Sequence, residues 1–350
     1  MTHSSQRRAF LRRALLVAGQ LAVGTAGLAG ARSPGKVMTV RGPLRADRMG
    51  WTLSHEHVVV DFIGAAGVGP GRYDRRQVFG KALPHLQRAY ELGSRTFVDC
   101  TPAYLARDPR LLRQLSEATG LHILTNTGYY GAVNDKCLPA HAFTETADQL
   151  ADRWTREYRK GLDGTGIRPG FIKIGVDEGN LSEIDRKLIT AAARTHRRTG
   201  LTIAAHTGRA PGAFDQIEVL KREGVSPGAW IWVHAQAEKD GSRHAEAARQ
   251  GAWVSFDGLG WGPTEEYLGL ITPMKEQGLL GRVLISHDAG WYHVGEPDGG
   301  LFQPFEKLFT ALLPALRQNG FTEAEITQLL VTNPAEAFTI RKRLVNASDQ

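Results

Sequence analysis

Apolar residues along this chain fall into two alternating patterns. Short runs rich in Val, Ile, Phe and Trp occupy 51–62, 95–100, 121–127, 169–176, 201–207, 229–234, 252–256 and 282–287, and runs of this kind predict strands buried on both faces. Between them, 75–92, 109–119, 145–162, 183–199, 214–223, 242–250 and 265–277 carry apolar residues at the spacing of an amphipathic helix. Several helical stretches end at a glycine, namely Gly93, Gly120, Gly200, Gly224, Gly251 and Gly278, where a helix C-terminal cap would sit. Strand, helix and glycine repeat as one unit, and eight buried strands predict an α/β protein of one domain, a (β/α)8 TIM barrel with its helices outside. The rival open, doubly wound sheet lacks its signature, because no Gly-x-Gly-x-x-Gly turn follows any strand. A strand at 36–40 with a turn at 41–44 is expected to cap the barrel entry. Helices at 305–318 and 323–330 are expected to close it, with Asn333-Pro334 starting the exit.

The first 31 residues break the pattern. Arg7-Arg8 and Arg12-Arg13 precede an apolar, glycine-containing run that ends in Ala29-Gly30-Ala31. A basic start, a moderately apolar middle and a small-residue cleavage site predict a signal peptide, and the paired arginines before Phe10-Leu11 resemble a twin-arginine signal. The expected division is therefore an export signal over 1–31 and a barrel over 32–350. The expected address is the periplasm or the exterior, reached through the twin-arginine export machinery, with no stable membrane span after cleavage. An uncleaved membrane anchor is the alternative, though the run falls short of about 20 strongly apolar residues.

Charge then loses its apparent meaning. The formal net charge is +7, but the signal holds four arginines and no acid, so the remainder carries +3. No stripe of Lys and Arg with interleaved aromatics stands out in it, and no nucleic-acid partner is implied. Cys100 and Cys137 have the spacing of neither a zinc knuckle nor a redox pair, and two free structural thiols are expected.

Candidate chemistry gathers at strand ends, where barrels of this kind place reactive groups. His55 and His57 are two apart on strand one, so their imidazoles point to one side, as ligands of a zinc-like ion would. For this pair alone, one core and one surface histidine is an equally good reading. Lys173 on strand four, His206 on five, His234 on six and Asp288 on eight change that balance. Lys173 lies between Ile172 and Ile174; a buried charged lysine is costly, so it must be paired, with Asp177 or Glu178, or be neutral or modified. A neutral lysine can take up carbon dioxide as a carbamate, an anionic oxygen ligand that two metals can share.

These motifs, Thr52-Leu53-Ser54-His55-Glu56-His57, Phe171-Ile172-Lys173-Ile174 with Asp177-Glu178, Ile285-Ser286-His287-Asp288 and Thr332-Asn333-Pro334-Ala335, resemble the phosphotriesterase family of the amidohydrolase superfamily, whose lactonases and organophosphate hydrolases share them. The likeness runs from about Val37 to Phe338. It implies that His55, His57 and Asp288 hold the more buried of two divalent metals, zinc first and cobalt, manganese or iron next, and that His206 and His234 hold the other. Lys173, as N6-carboxylysine, and a hydroxide would bridge the ions, and Asp288 would take the proton of the attacking water. Tyr130 matches a tyrosine that family lactonases place over the metals, where it would donate a hydrogen bond to the substrate; packing the loop is the other reading, and Tyr129 could take either role. Trp291, Tyr292 and His293, with Asp298 nearby, are expected as a substrate wall or a packed lid after strand eight. Glu56 and His287 alternate away from the metal side and are expected to act from behind it.

One departure decides between activities. The family often passes a proton from its metal aspartate to an Arg or His following the strand-seven aspartate, but here Asp257 is followed by Gly258, and Ala237 stands where a second aspartate would. A lactone, whose alkoxide leaves tethered, needs less from that relay. The expectation is a binuclear metal hydrolase opening a sugar or acyl lactone, with weak phosphotriesterase activity. A phosphotriesterase or carboxylesterase is the alternative, and a periplasmic metal- or ligand-binding barrel the non-enzymatic one. A homodimer is implied by the resemblance alone.

Overall fold

The strands carry side chains too large and too apolar to face water on either side. Phe171–Gly175, Trp230–Val233 and Trp253–Phe256 are buried at every position, as strands covered by helices on one face and filling an interior on the other must be. The computed structural model describes residues 35–69 and 71–345, so the expected signal over 1–31 lies outside the described residues.

The described chain opens with an antiparallel hairpin, β1 (Lys36–Thr39) and β2 (Gly42–Arg45), which Val40 ties to the barrel by donating from its amide to the Ile123 carbonyl at 2.8 Å. There follow β3 (Trp51–Glu56), β4 (Val59–Val60), α1 (Arg75–Glu91), β5 (Ser94–Asp99), α2 (Pro109–Thr119), β6 (His122–Leu124), β7 (Asn126–Thr127), α3 (Ala140–Thr144), α4 (Ala147–Lys160), β8 (Phe171–Gly175) and α5 (Glu183–Thr199). The second half holds β9 (Ile203–His206), α6 (Ala210–Arg222), β10 (Trp230–Val233), α7 (Gly241–Arg249), β11 (Trp253–Phe256), α8 (Thr264–Glu276), β12 (Val283–Ile285) and β13 (Tyr292–His293). Helix boundaries follow capping chemistry. Ser182 and Asp185 form a reciprocal capping box at the start of α5, and Gly200 ends it at φ 80°, where a Cβ would press within 3.1 Å of the Arg341 backbone.

Pairing is parallel throughout two arcs, β3-β5-β6 and β7-β8-β9-β10-β11-β12. A single residue, Thr125, separates β6 from β7, and its carbonyl accepts from the Gly170 amide at 2.7 Å. At the other junction the Asp288 amide donates to the His55 carbonyl at 3.0 Å and the His57 amide to the Ala289 carbonyl at 2.9 Å. Both arcs are thereby bonded end to end, and the eight expected strands make a ring.

Three expectations need correction. The run 51–62 is two strands, not one: β3 stops at Glu56, and β4 leaves the ring to pair with β13, Val59 opposite Tyr292 and Val60 opposite His293. The helix expected at 145–162 is preceded by a separate short helix, α3, because Glu145 is extended between them. Asn333-Pro334 does not start the exit. The helix that starts at Glu323 runs on through it to Phe338 by way of a π-helical turn, Gln328–Thr332, and the Asn333 side-chain amide donates to the Leu280 and Val283 carbonyls at 2.8 and 2.7 Å. Cys100 and Cys137 are buried and unbridged, as expected. No helix among the described residues is long and apolar enough to cross a membrane.

Candidate active site

The six polar strand-end residues come together at one mouth of the ring. His55 lies in β3, with His57 just beyond its end; Lys173 is in β8; His206 ends β9; His234 directly follows β10, and Asp288 follows β12 by three residues. Ring centroids of His55 lie 5.3 Å from His57 and 5.0 Å from His234, and His234 lies 4.5 Å from His206. The carboxylate oxygen Oδ1 of Asp288 stands 3.1 Å from His57 Nε2 and 3.6 Å from His55 Nε2.

Which nitrogen of each ring faces inward is set from behind. Asp257, fully buried after β11, reaches His55 Nδ1 at 3.0 Å and His234 Nδ1 at 2.8 Å with its two carboxylate oxygens. Thr101 Oγ1 lies 2.8 Å from His57 Nδ1. Holding a proton on Nδ1 leaves the Nε2 lone pair free toward the centre, the arrangement that ligating histidines adopt. Burial would raise the Asp257 carboxyl, but the charges and hydrogen bonds of His234 and His55 hold it well below the usual range. Burial likewise opposes ionisation of Asp288, and the close approach of His57 with the charges of His234 and His55 overcomes it, holding the carboxyl below its usual range.

Lys173 is 2% exposed. Among the described residues its amine has one hydrogen-bond partner, the Ile174 carbonyl at 3.4 Å, and lies 5.5 Å from the centre of the Tyr130 ring. Neither acid considered as its partner reaches it: Asp177 accepts from the Asn134 amide, and Glu178 pairs with Arg209. Burial therefore lowers its pKa toward a neutral amine.

The donor set fits divalent cations. His55, His57 and Asp288 present ligand atoms within 4.8 Å of one another, and the buried Asp288 Oδ1 has no partner in hydrogen-bond geometry, although two imidazoles crowd it. His55, His234 and Asp257 form a second compact group, but there the carboxylate is spent on Nδ1 hydrogen bonds and serves as a brace.

Residue by residue, the expected substrate contacts fare unequally. Tyr130 is buried at the edge of the cluster, its hydroxyl 3.2 Å from His206 Nδ1. Tyr129 turns away; its hydroxyl meets His141 Nε2 at 3.0 Å and its ring packs edge-on against Trp154 and Tyr104. It lines a separate cavity of about 780 Å³ that contains none of the six residues. Tyr292 is also not a mouth residue, because pairing in β13 turns it into the core against Gly299. Trp291 does stand at the mouth, 4.8 Å from the His57 ring and stacked on both Phe62 and His293, while Asp298 is exposed in the turn Pro297–Gly299. Glu56 and His287 lie behind the cluster: Glu56 accepts from the Ser286 hydroxyl, the His287 and Ala289 amides and His287 Nδ1.

Sequence reading missed three members. Asp257 served only as a landmark, although an acid ending a buried strand signals a brace. Phe62 and Trp261 gave no signal, since only the meeting of three loops puts them beside Trp291.

A family model described as "Phosphotriesterase family" matches residues 35–338. The chain belongs to the phosphotriesterase family. Its similarity to the "Phosphotriesterase homology protein" of Escherichia coli K12 is 29% identity over 296 residues, covering 83% of this chain and 99% of that one. To the "Aryldialkylphosphatase" of Saccharolobus solfataricus it is 27% over 306 residues, 83% and 95%. A solved structure described as "Molecular Engineering of Organophosphate Hydrolysis Activity from a Weak Promiscuous Lactonase Template" superimposes with a TM-score of 0.79 at 30% identity, over 87% of this chain and 99% of the other. Phosphotriesterase-family enzymes are hydrolases with a binuclear metal centre, and this mouth is where such a centre fits.

Proposed function

We propose that this chain is a lactonase that also hydrolyses aryl phosphotriesters weakly. The observation that carries the choice lies after strand β11. A Cβ at Gly258 would stand 2.6 Å from Gln236 Nε2 and 2.7 Å from Tyr267 Oη, so these two side chains occupy the space from which a residue there would take a proton onward from the mouth. Gln236 instead bonds Asp257, donating to Oδ1 at 3.3 Å and accepting from its amide at 3.2 Å. Ring opening tolerates this loss, because the departing alkoxide, a strong base that needs a proton, stays tethered beside the Tyr130 hydroxyl, which is placed to donate to it without an onward relay.

In this reading His55, His57 and Asp288 hold one ion and His206 and His234 the other, with Lys173 supplying a shared carbamate. Two divalent ions bound there would acidify a water and polarise the substrate carbonyl. Asp288 receives the proton that the water gives up. Tyr130 donates its hydroxyl proton toward the developing alkoxide, and its burial, which pushes its pKa up, keeps that proton in place. Trp291 and His293 wall the ring of the substrate. A structural relative built on a lactonase template supports the reading, and the name of the aryldialkylphosphatase relative favours its rival.

The test is kcat/KM of the metal-reconstituted protein for a sugar lactone, a long-chain acyl lactone and an aryl phosphotriester, each beside a metal-stripped control. A lactone should lead the triester by about 100-fold or more. A triester that matches or exceeds both lactones overturns the choice.

A further inference from the structure

Asp288 occupies the left-handed region at φ 53°, and so does Trp291 at φ 71°. For a bulky aromatic residue this conformation is a real departure, held only where surrounding contacts over-determine it. Between them Gly290, at φ 98°, lies so close to His57 that a Cβ would meet its carbonyl oxygen. The strand-eight exit is thus a tight, strained turn, and the direction of the Asp288 carboxylate depends on what holds that turn.

Two indoles hold it. Trp291 Nε1 donates to the Asp288 carbonyl at 2.8 Å, and Trp261 Nε1 donates to the same oxygen at 2.6 Å. A carbonyl oxygen has two lone pairs, and both are used here. Trp261 comes from the loop after β11, whose backbone is stitched to the end of strand eight, Leu259 donating to the Ser286 carbonyl and Gly260 to that of His287, and is held further on by Lys307 Nζ donating to the Gly262 carbonyl. Trp261 is nevertheless 57% exposed, so burial of its ring is not what fixes it. A large aromatic side chain left mostly in water, with its one polar atom committed to the backbone of the acid beside His57, is built for that contact.

We propose that Trp261 and Trp291 form a two-indole clamp on the Asp288 carbonyl, and that Trp261 is a positioning residue for hydrolysis. Relaxing Asp288 to the common extended conformation would break both indole bonds and swing its carboxylate away from His57 Nε2. The clamp therefore sets how well Asp288 serves as ligand and proton acceptor. This rests on the hydrolase reading above.

The test is Trp261→Phe, which removes the N–H donor and keeps an aromatic ring, with Trp261→Leu alongside. For W261F we expect kcat to fall about tenfold with KM within about twofold, and metal release to a chelator to quicken several-fold, at an unchanged Tm. The double variant W261F/W291F should release metal faster than the two single effects combined, because it alone leaves the carbonyl with no donor. If W261F keeps wild-type kcat and metal release while W261L raises KM, Trp261 is only a substrate wall and the clamp is wrong. If W261F lowers Tm and leaves the kcat and metal release of the folded fraction unchanged, its role is structural and the clamp is equally wrong. Chelator release needs no substrate, so a wild type inactive on every ester would overturn the hydrolase reading while the clamp is still judged on metal release.

Discussion

The two halves of the metal-site cluster are built differently. On the β3–β12 side, both histidines and the acid behind them are braced: His57 leans on Thr101, His55 shares Asp257 with His234, and Glu56 gathers four donors from the strand-eight exit. Across the mouth, Lys173 has one long contact to a neighbouring carbonyl, and His206 has only the Tyr130 hydroxyl. One half is organised by the protein's own hydrogen bonds before any ligand arrives. The other half is a buried amine in apolar surroundings, which gains its partners only from what binds. Preorganisation is thus concentrated on the side that carries Asp288, and under the proposed function the sparse side is where a carbamate on Lys173 has room to form.

The largest effect should come from breaking the braced side at its centre. Asp288→Asn removes the proton acceptor but keeps the shape, and we expect kcat to fall by about 10²–10⁴, measured at saturating substrate; an unaltered kcat would remove Asp288 from its role. On the sparse side, Lys173→Ala should leave one tightly held metal per chain in place of two, read by elemental analysis after dialysis. A variant that keeps both ions and full turnover ends the carbamate proposal. A smaller change tests the shared brace. Asp257→Asn can accept from only one of His55 and His234, and metal affinity should weaken by about 10–100-fold, measured by competition with a chelator, with both ions affected since each half contributes a histidine.

A pH experiment separates this comparison from the rest of the molecule. His196, far from the mouth, is buried with Nδ1 on the Leu201 carbonyl and Nε2 accepting from the Arg343 amide. Burial pulls its pKa down to about 4. A group depressed on folding contributes stability that is present above its unfolded pKa, near 6.5, and is lost as pH falls toward the folded value. Unfolding free energy should therefore decline by roughly 3 kcal/mol from pH 7 to pH 4 through this residue, measured by denaturant titration at each pH. A His196→Gln variant should flatten the slope by that amount, compared in metal-stripped protein so that ligand protonation coupled to metal loss does not contribute.

Much of the ring was legible because its strands are apolar on both faces and its helices on one, and periodicity reports that directly. The turns between were read where a cap residue had one reason to be there, as with Gly120 and Gly200. Strand 51–62 was read too long because Val58, Val59 and Val60 favour a strand wherever they pair, and only the return of β13 decides that they leave the ring. Tyr129 and Tyr292 illustrate the same limit. Each sits one residue from a mouth residue, and one step along a strand or turn reverses the direction of a side chain.

What the sequence determined by itself was the class of fold and the set of chemical groups at its mouth, since both follow from local periodicity and residue type. The tertiary structure decided which nitrogen of each histidine faces inward, that Lys173 has no acid for a partner, that Gln236 and Tyr267 fill the space beside Gly258, and that two tryptophans from different loops meet on one carbonyl. Many of those contacts join residues far apart in the chain, 21 positions for Gln236 and Asp257 and 202 for His55 and Asp257. Hydrogen bonds and steric exclusion act through space, and no local pattern records them.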